Sequence, residues 1–437
     1  MRIFLRALLG IFIVAVLAVI GFVIWARQPS IAAITPPKPA TFSKAVIARG
    51  ASLVAMGDCA QCHRSADGKP FAGGYPVPTP FGTVYGSNIT PDPDTGIGGW
   101  SEAAFARAMR QGIRRDGAHL YPAFPYTHFT KVSDDDIKAI YAYLMTRPAV
   151  HNTVPAPQLA FPLNVRLIMA GWNLLFFDPG RFAPESGKSE VWNRGAYIAE
   201  GLGHCGACHT PYNWLGAENK GQRYAGGEGE GWHAPALGAG SPAPLPWTKA
   251  QLVTYFNAGF VRDHGVAAGP MAGVSRALQK LPAADVTALA TYIASLEPQA
   301  AAKETTGSAA ADKAAYQITT AQAMNQKGPA EDGKAIFAGA CASCHFEGGS
   351  QPFYRPVRLR LSSVVNAATP RNFIHVVLGG IQPPPGAHGL WMPPFGNALT
   401  DKQITQLAHY VRSHFSGKPA WTDLDKTVAQ IRKGKDS

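Results

Sequence analysis

All six cysteines of this 437-residue chain fall into three copies of one pattern. The copies read Cys59-Ala-Gln-Cys62-His63, Cys205-Gly-Ala-Cys208-His209 and Cys341-Ala-Ser-Cys344-His345. Two thiols three residues apart share one side of a helical turn, and an imidazole follows at once. That spacing lets both thiols form thioethers to the vinyl groups of one haem while the histidine ligates its iron, and C-x-x-C-H is the attachment signature of c-type haem. A lone C-x-x-C could instead be half a zinc site or a dithiol redox pair. Three copies, each with histidine in fifth place and no spare cysteine, set both rivals aside. The expected cofactors are three covalently bound haem c groups.

The motifs begin at 59, 205 and 341, steps of 146 and 136 residues, so one haem per domain is expected. An internal repeat supports that division. A short helix precedes each motif, over Gly50–Met56, Gly195–Glu200 and Gly333–Phe337. A second helix starts from a Ser or Thr cap at Ser101, Thr248 or Thr369. It places an apolar residue four positions on (Phe105, Leu252, Phe373) and a glycine eleven on (Gly112, Gly259, Gly380). A third helix runs over Asp136–Leu144, Asp285–Leu296 and Gln403–Phe415. Capping boxes are expected at Ser133-x-x-Asp136 and Thr400-x-x-Gln403. Tyr143, Tyr292 and Tyr410 in these helices read as helix–helix core.

Twelve residues past each glycine stand Phe124, Met271 and Met392, all in stretches rich in proline or glycine. A thioether on the distal face of a His-ligated haem raises its reduction potential. Buried methionine is usually core filling, but Met271 and Met392 share one register and are read as loop-borne distal ligands. Met56, Met109, Met145 and Met169 lack that register and read as structural. Phe124 cannot bind iron. His128 stands four residues beyond it and is the candidate ligand for the first haem, against a shifted register or an open site; His119 is a weaker candidate.

At the N-terminus, Arg2 and Arg6 precede an uncharged run from Ala7 to Ala26, about the 20 residues a spanning helix needs. An uncleaved anchor with the remainder outside the cytoplasm is expected, and cleavage near Ser30-Ile-Ala-Ala33 is the alternative. Gln28–Phe42, with four prolines, reads as an extended tether. Phe161–Phe182 is apolar and aromatic, and reads as packing between the first two domains or as a face for a partner subunit or the membrane surface. The net charge of +12 overstates the real one, because each haem adds two propionates. No nucleic-acid motif accompanies that charge, so a docking face or solubility is its expected use. There is no dinucleotide fingerprint or nucleophile elbow, and Gly226-Gly-Glu-Gly-Glu-Gly231 reads as a surface loop.

Three C-x-x-C-H units behind an N-terminal anchor resemble the membrane-bound triheme cytochrome c subunits of bacterial periplasmic dehydrogenases. The more specific stretches are Phe71-Ala-Gly-Gly74, Asn88-Ile-Thr-Pro-Asp-Pro93 with Gly96-Ile-Gly98, Tyr121–Tyr126 and Asn193-Arg-Gly-Ala-Tyr197. The resemblance implies a mainly α fold of three tandem cytochrome c domains, class I-like, behind a transmembrane helix in the bacterial inner membrane and facing the periplasm. The expected division is 1–27 anchor or signal, 28–42 tether, 43–148 first domain, 149–188 connector, 189–297 second domain, 298–329 flexible linker, 330–420 third domain and 421–437 tail. It implies an electron-transfer role alongside a catalytic dehydrogenase chain, in some relatives with a small iron–sulfur protein as well, and ubiquinone or a terminal oxidase as acceptor. Relatives serve quinoprotein alcohol or flavoprotein gluconate dehydrogenases, or molybdenum hydroxylases acting on aldehydes or N-heterocycles such as nicotinate. The first two groups are expected to carry methionine where this chain has Phe124, so the departure favours the third. A stand-alone haem enzyme with an open first site is the competing reading.

Overall fold

The computed structural model describes residues 1–297, 330–345, 357–383 and 391–434, and the linker expected over 298–329 lies outside them. The described chain is mainly helical, with short strands in small antiparallel pairings. It forms two compact units, Met1–Ala183 with Glu200–His204, and Pro184–Ala199 with Cys205–Ser437.

One device recurs three times. The helix leading into each cysteine motif crosses a later helix, and a glycine sits at the crossing. The pairs are Lys44–Met56 with Asp134–Met145, Glu190–Glu200 with Ala283–Ser295, and Ala330–Ala340 with Asp401–Val411. A Cβ on Gly50 would lie 2.0 Å from the Ala139 carbonyl oxygen, on Gly195 2.0 Å from that of Ala288, and on Gly333 2.1 Å from that of Gln406. Each glycine also faces the Cβ of Tyr143, Tyr292 or Tyr410, at 2.7 to 2.8 Å from the same notional atom. These tyrosines therefore do the packing expected of them. Arg49 Nε donates to Asp136 at 2.7 Å, and Arg194 reaches both oxygens of Asp285 at 2.7 and 2.9 Å. In the third pair Asp332 stands in the arginine's place, one residue before the glycine, and accepts from Gln406 Nε2 at 2.6 Å.

The second helices, Glu102–Gln111, Lys249–Ala258 and Arg371–Gly379, bury Phe105, Leu252 and Phe373. They end at Gly112, Gly259 and Gly380, whose φ values of 64°, 69° and 68° need a residue without Cβ. Ser101 caps the first, and Thr248 closes a capping box with Gln251 on the second. Thr369 departs from its expected role. Pro370 is the N-cap there, and the Thr369 hydroxyl accepts from the Arg371 N–H at 3.2 Å. Proline has no N–H to satisfy and is preset for helical φ, which moves the start one residue on. Thr400 closes its expected box with Gln403, and Ser133 accepts from Asp136 N while the Asp136 carboxylate serves Arg49. Residues 421–434, read as a tail, instead complete the third core: Trp421, Leu424, Val428 and Ile431 are buried with Phe373 and Ile404.

The helix Arg2–Ala26 is apolar between Arg6 and Arg27, and among the described residues it meets the rest of the chain near its C-terminal end, from Phe22 to Ala26. The segment after it runs without regular structure to a helical turn at Pro39–Thr41, and it is pinned. Ala26 O accepts from His119 Nε2 at 2.8 Å, Pro29 O from Arg107 at 2.7 Å, and Ile31 and Ile34 donate to Arg115 and Gly99 carbonyls. His119 is thus committed to the N-terminal segment. The aromatic connector forms a helix, Ile168–Phe176, whose Asn173 accepts from the Tyr126 hydroxyl at 2.6 Å.

His264, in the turn of the hairpin Phe260–Val261/Gly265–Val266, is fully buried. Its Nε2 donates to Gln251 Oε1 at 3.1 Å, its ring stacks on Trp247 at 3.8 Å, and its Nδ1 has no partner among the described residues. Burial pushes its pKa from 6.5 down to about 4. The unfolded chain therefore binds a proton that the folded chain refuses between those values, and the stability contribution is complete above pH 6.5 and is lost as pH falls towards 4. Acidification over that window should cost this unit up to about 3 kcal/mol, since each pKa unit is worth about 1.4 kcal/mol. Denaturant titrations of His264→Gln across pH 4 to 7 should lack that slope.

Candidate haem sites

The first two cysteine motifs form one helical turn each, Cys59–Cys62 and Gly206–His209, and the third lies in Ala342–His345. The imidazoles are held from behind. His63 Nδ1 donates to the Ser87 carbonyl at 2.7 Å and His209 Nδ1 to the Pro235 carbonyl at 2.6 Å. This fixes the tautomer and leaves the lone pair on Nε2, the arrangement a metal-ligating histidine needs. Val357 offers its backbone to His345 without closing to a regular hydrogen bond. Burial lowers the pKa of all three rings, partly offset by these carbonyls, so each is driven towards the neutral ligand form.

The thiols are shifted the other way. Burial, with Asp58 adding to it, pushes Cys59 up to about 12, and burial pushes Cys205 to about 12 and Cys208 and Cys341 to about 11. Zinc ligands and redox-active thiols have depressed values and ionise. Burial holds these four towards the thiol form, which weighs against a dithiol redox pair. A thiol pair beside a tautomer-fixed imidazole in the first two motifs, and the same residues with a more exposed Cys344 in the third, fit a covalently attached haem, to which bound iron would contribute one-electron transfer.

Beside the first two motifs, a positive-φ aromatic and a glycine pair recur. Phe71-Ala-Gly-Gly74 has φ 67° at Phe71, and Tyr224-Ala-Gly-Gly227 has φ 60° at Tyr224. Gly73 N donates to His63 O at 2.8 Å and Gly226 N to His209 O at 2.9 Å. The two aromatic rings lie 6.3 Å from Tyr143 and Tyr292, tying each motif to its helix crossing. The second copy was missed from sequence, although its four-residue match to the first was there to be read. The run Gly226–Gly231 is accordingly not an open loop: Gly227–Gly229 pairs with Trp232–Ala234 in a hairpin. A Cβ at Gly227 would strike Cys208 O at 2.5 Å, and one at Gly229 would meet Cys208 Sγ at 3.1 Å.

The distal candidates occupy different settings. Met271 is half-buried and lies in the first turn of the helix Pro270–Leu278, not in a loop as expected. Gly269, two residues before it, has φ 54°, and a Cβ there would fall 2.3 Å from the Trp232 ring. The hairpin that lies on Cys208 therefore also abuts the approach to Met271. Met392 is in a loop, bridged through its backbone to Ile381, and packs on the same core as Cys341. Phe124 sets its ring against Phe129 at 5.3 Å. His128, on the turn Tyr126–Phe129, is buried, and its Nδ1 donates to the Glu200 carbonyl at 3.0 Å. That is the same tautomer-fixing contact that His63 and His209 make. The methionines at 56, 109, 145 and 169 are all core residues.

The cytochrome c family model matches residues 47–148, and that of cytochrome C oxidase, cbb3-type, subunit III matches 328–411. A nicotinate dehydrogenase subunit of Pseudomonas putida is 46% identical over 416 residues, 94% of this chain, which spans only 34% of that protein's length. The fructose dehydrogenase cytochrome subunit of Gluconobacter japonicus is 36% identical, covering 92% of this chain and 85% of its own. The gluconate 2-dehydrogenase cytochrome c subunit of Pantoea cypripedii is 35% identical, with 89% and 90% covered. With three C-x-x-C-H turns, two of them with tautomer-fixed histidines, and relatives matched over most of their length, the chain belongs to the family of dehydrogenase cytochrome c subunits, electron-transfer proteins with covalently bound haem c.

Proposed function

We propose that the chain carries three haem c groups and passes electrons singly from a catalytic dehydrogenase of the molybdenum hydroxylase type, oxidising an aldehyde or an N-heterocycle, to the respiratory chain through ubiquinone or a terminal oxidase. The cysteine pairs 59/62, 205/208 and 341/344 hold the haems, and His63, His209 and His345 are the proximal ligands. Met271 and Met392 ligate the second and third irons and His128 the first, so the first haem has the lower potential. The observation that carries the haem number is the helix crossing, repeated around Gly50, Gly195 and Gly333 directly ahead of each motif. The partner class is supported by the higher identity to the nicotinate dehydrogenase relative than to the sugar-acid and sugar relatives.

The apolar helix is a retained anchor in the inner membrane, with the haem domains in the periplasm. Cleavage near Ala33 would strip His119, Arg107 and Arg115 of the carbonyls and amides they hold. A second reading, a flavoprotein gluconate dehydrogenase as partner, draws on the gluconate relative, 90% of whose length is covered. Purifying the membrane complex intact and assaying it for molybdenum and flavin decides between them. Molybdenum with iron–sulfur clusters is the expected result; flavin without molybdenum would replace the first reading by the second. A haem protein with no companion would remove both.

A further inference from the structure

We propose that the connector helix Ile168–Phe176 lies in the membrane surface beside the anchor and faces lipid with Leu174 and Leu175. The proposal rests on the anchor reading above and extends it to a second element.

The helix is apolar on every side. From Leu167 to Phe177 it carries no charge, and Asn173 is its one polar side chain. Asn173 is used inward, on the Tyr126 hydroxyl, and Met169 and Ala170 are buried on the same side. Trp172 and Phe177 add edge contacts to Tyr126 with ring centroids 6.5 and 5.3 Å away. The opposite side should be polar if it met water. Instead it presents Leu174 and Leu175, 72% and 69% exposed.

What covers that side is indicated by Gly171. Residues 174 and 175 lie three and four positions beyond it and therefore share its face. A Cβ on Gly171 would be 3.7 Å from the ring of Phe22, on the anchor helix. The two leucines thus continue a contact that the membrane-crossing helix already makes. Depth follows from helix geometry. The uncharged run Ala7–Ala26 is about 30 Å long, matching a hydrocarbon core. Phe22 precedes Ala26 by four residues, about 6 Å along the axis. The connector helix therefore meets the anchor inside the apolar boundary, at the depth of about 5–10 Å at which interfacial helices lie. Trp25, 54% exposed beside Arg27, marks the same level as an interfacial aromatic would.

The test uses the full haem-loaded chain, alone, in phospholipid nanodiscs. On the haem reading the native cysteines are thioethers, so Leu174→Cys, Leu175→Cys, Glu185→Cys and Val14→Cys each offer one thiol to a nitroxide. With the haems reduced, collision with oxygen reports acyl chains and collision with a water-soluble nickel chelate reports water. Labels at 174 and 175 should give an oxygen-to-nickel ratio several-fold above that at the exposed Glu185 position. Ratios equal to that control, with Val14 lipid-exposed, would overturn the proposal and leave the anchor standing. An aqueous Val14 would remove the anchor reading itself. As a check that needs no substitution, a lipid-borne photoreactive probe should label the wild-type peptide containing residues 174 and 175; its absence from that peptide, with residues of the anchor labelled, counts against the proposal.

Discussion

Gly195→Ala should destabilise the second helix crossing by about 2 kcal/mol, although alanine is the better helix former. Propensity alone favours the change by up to about 1 kcal/mol. Against it stands a Cβ placed 2.0 Å from the Ala288 carbonyl oxygen and 2.8 Å from the Tyr292 Cβ. A backbone oxygen cannot swing aside, so the helices must part. Overpacking of this kind costs about 1–3 kcal/mol, and a contact this short belongs at the upper end. The control is Gly339→Ala, in the helix Ala330–Ala340 with nothing within 4 Å, where only propensity acts and a small gain is expected. Denaturant titrations followed by haem absorbance read both. A gain at Gly195 equal to that at Gly339 would mean that the crossing does not hold the unit together.

Met271→Ala should lower the midpoint potential of one haem by an amount on the order of 0.2 V, within the ~0.8 V range that axial ligand sets span. The other two should hold their values in the same redox titration. On the proposed ligation, loss of the thioether would remove the ligand that favours ferrous iron, and the reduced protein should then bind carbon monoxide at one site. Met271→Leu keeps the volume and separates ligation from packing. If leucine preserves the potential, Met271 is a core residue and the shared register with Met392 has misled.

The C-x-x-C-H spacing and the helix-ending glycines were legible because each rests on a local rule, whereas the helix Arg371–Gly379 starts from Pro370 and not from Thr369. A thioether pair needs two thiols one turn apart, and a positive φ near 65° at Gly112, Gly259 and Gly380 needs glycine. The reach of Trp421, Leu424, Val428 and Ile431 into the third core was not legible, since short amphipathic segments look alike whether they cap a core or trail from it. His119 was kept as a weaker iron candidate, and its use was not legible because its partner, the Ala26 carbonyl, lies 93 residues away. Met271 was read as loop-borne from its Gly-Pro flank, yet proline at the first helical position is also a start signal. The Arg49–Asp136 and Arg194–Asp285 pairs, and their replacement by Asp332–Gln406, are likewise long-range pairings that no window of sequence contains.

The enclosure of the thiols bears on haem loading. Addition of sulfur across a vinyl group proceeds through thiolate, and burial in the folded chain holds Cys59 and Cys205 against ionisation. On the haem reading, attachment at these two motifs is therefore expected to be faster on the open chain than after the helices have crossed.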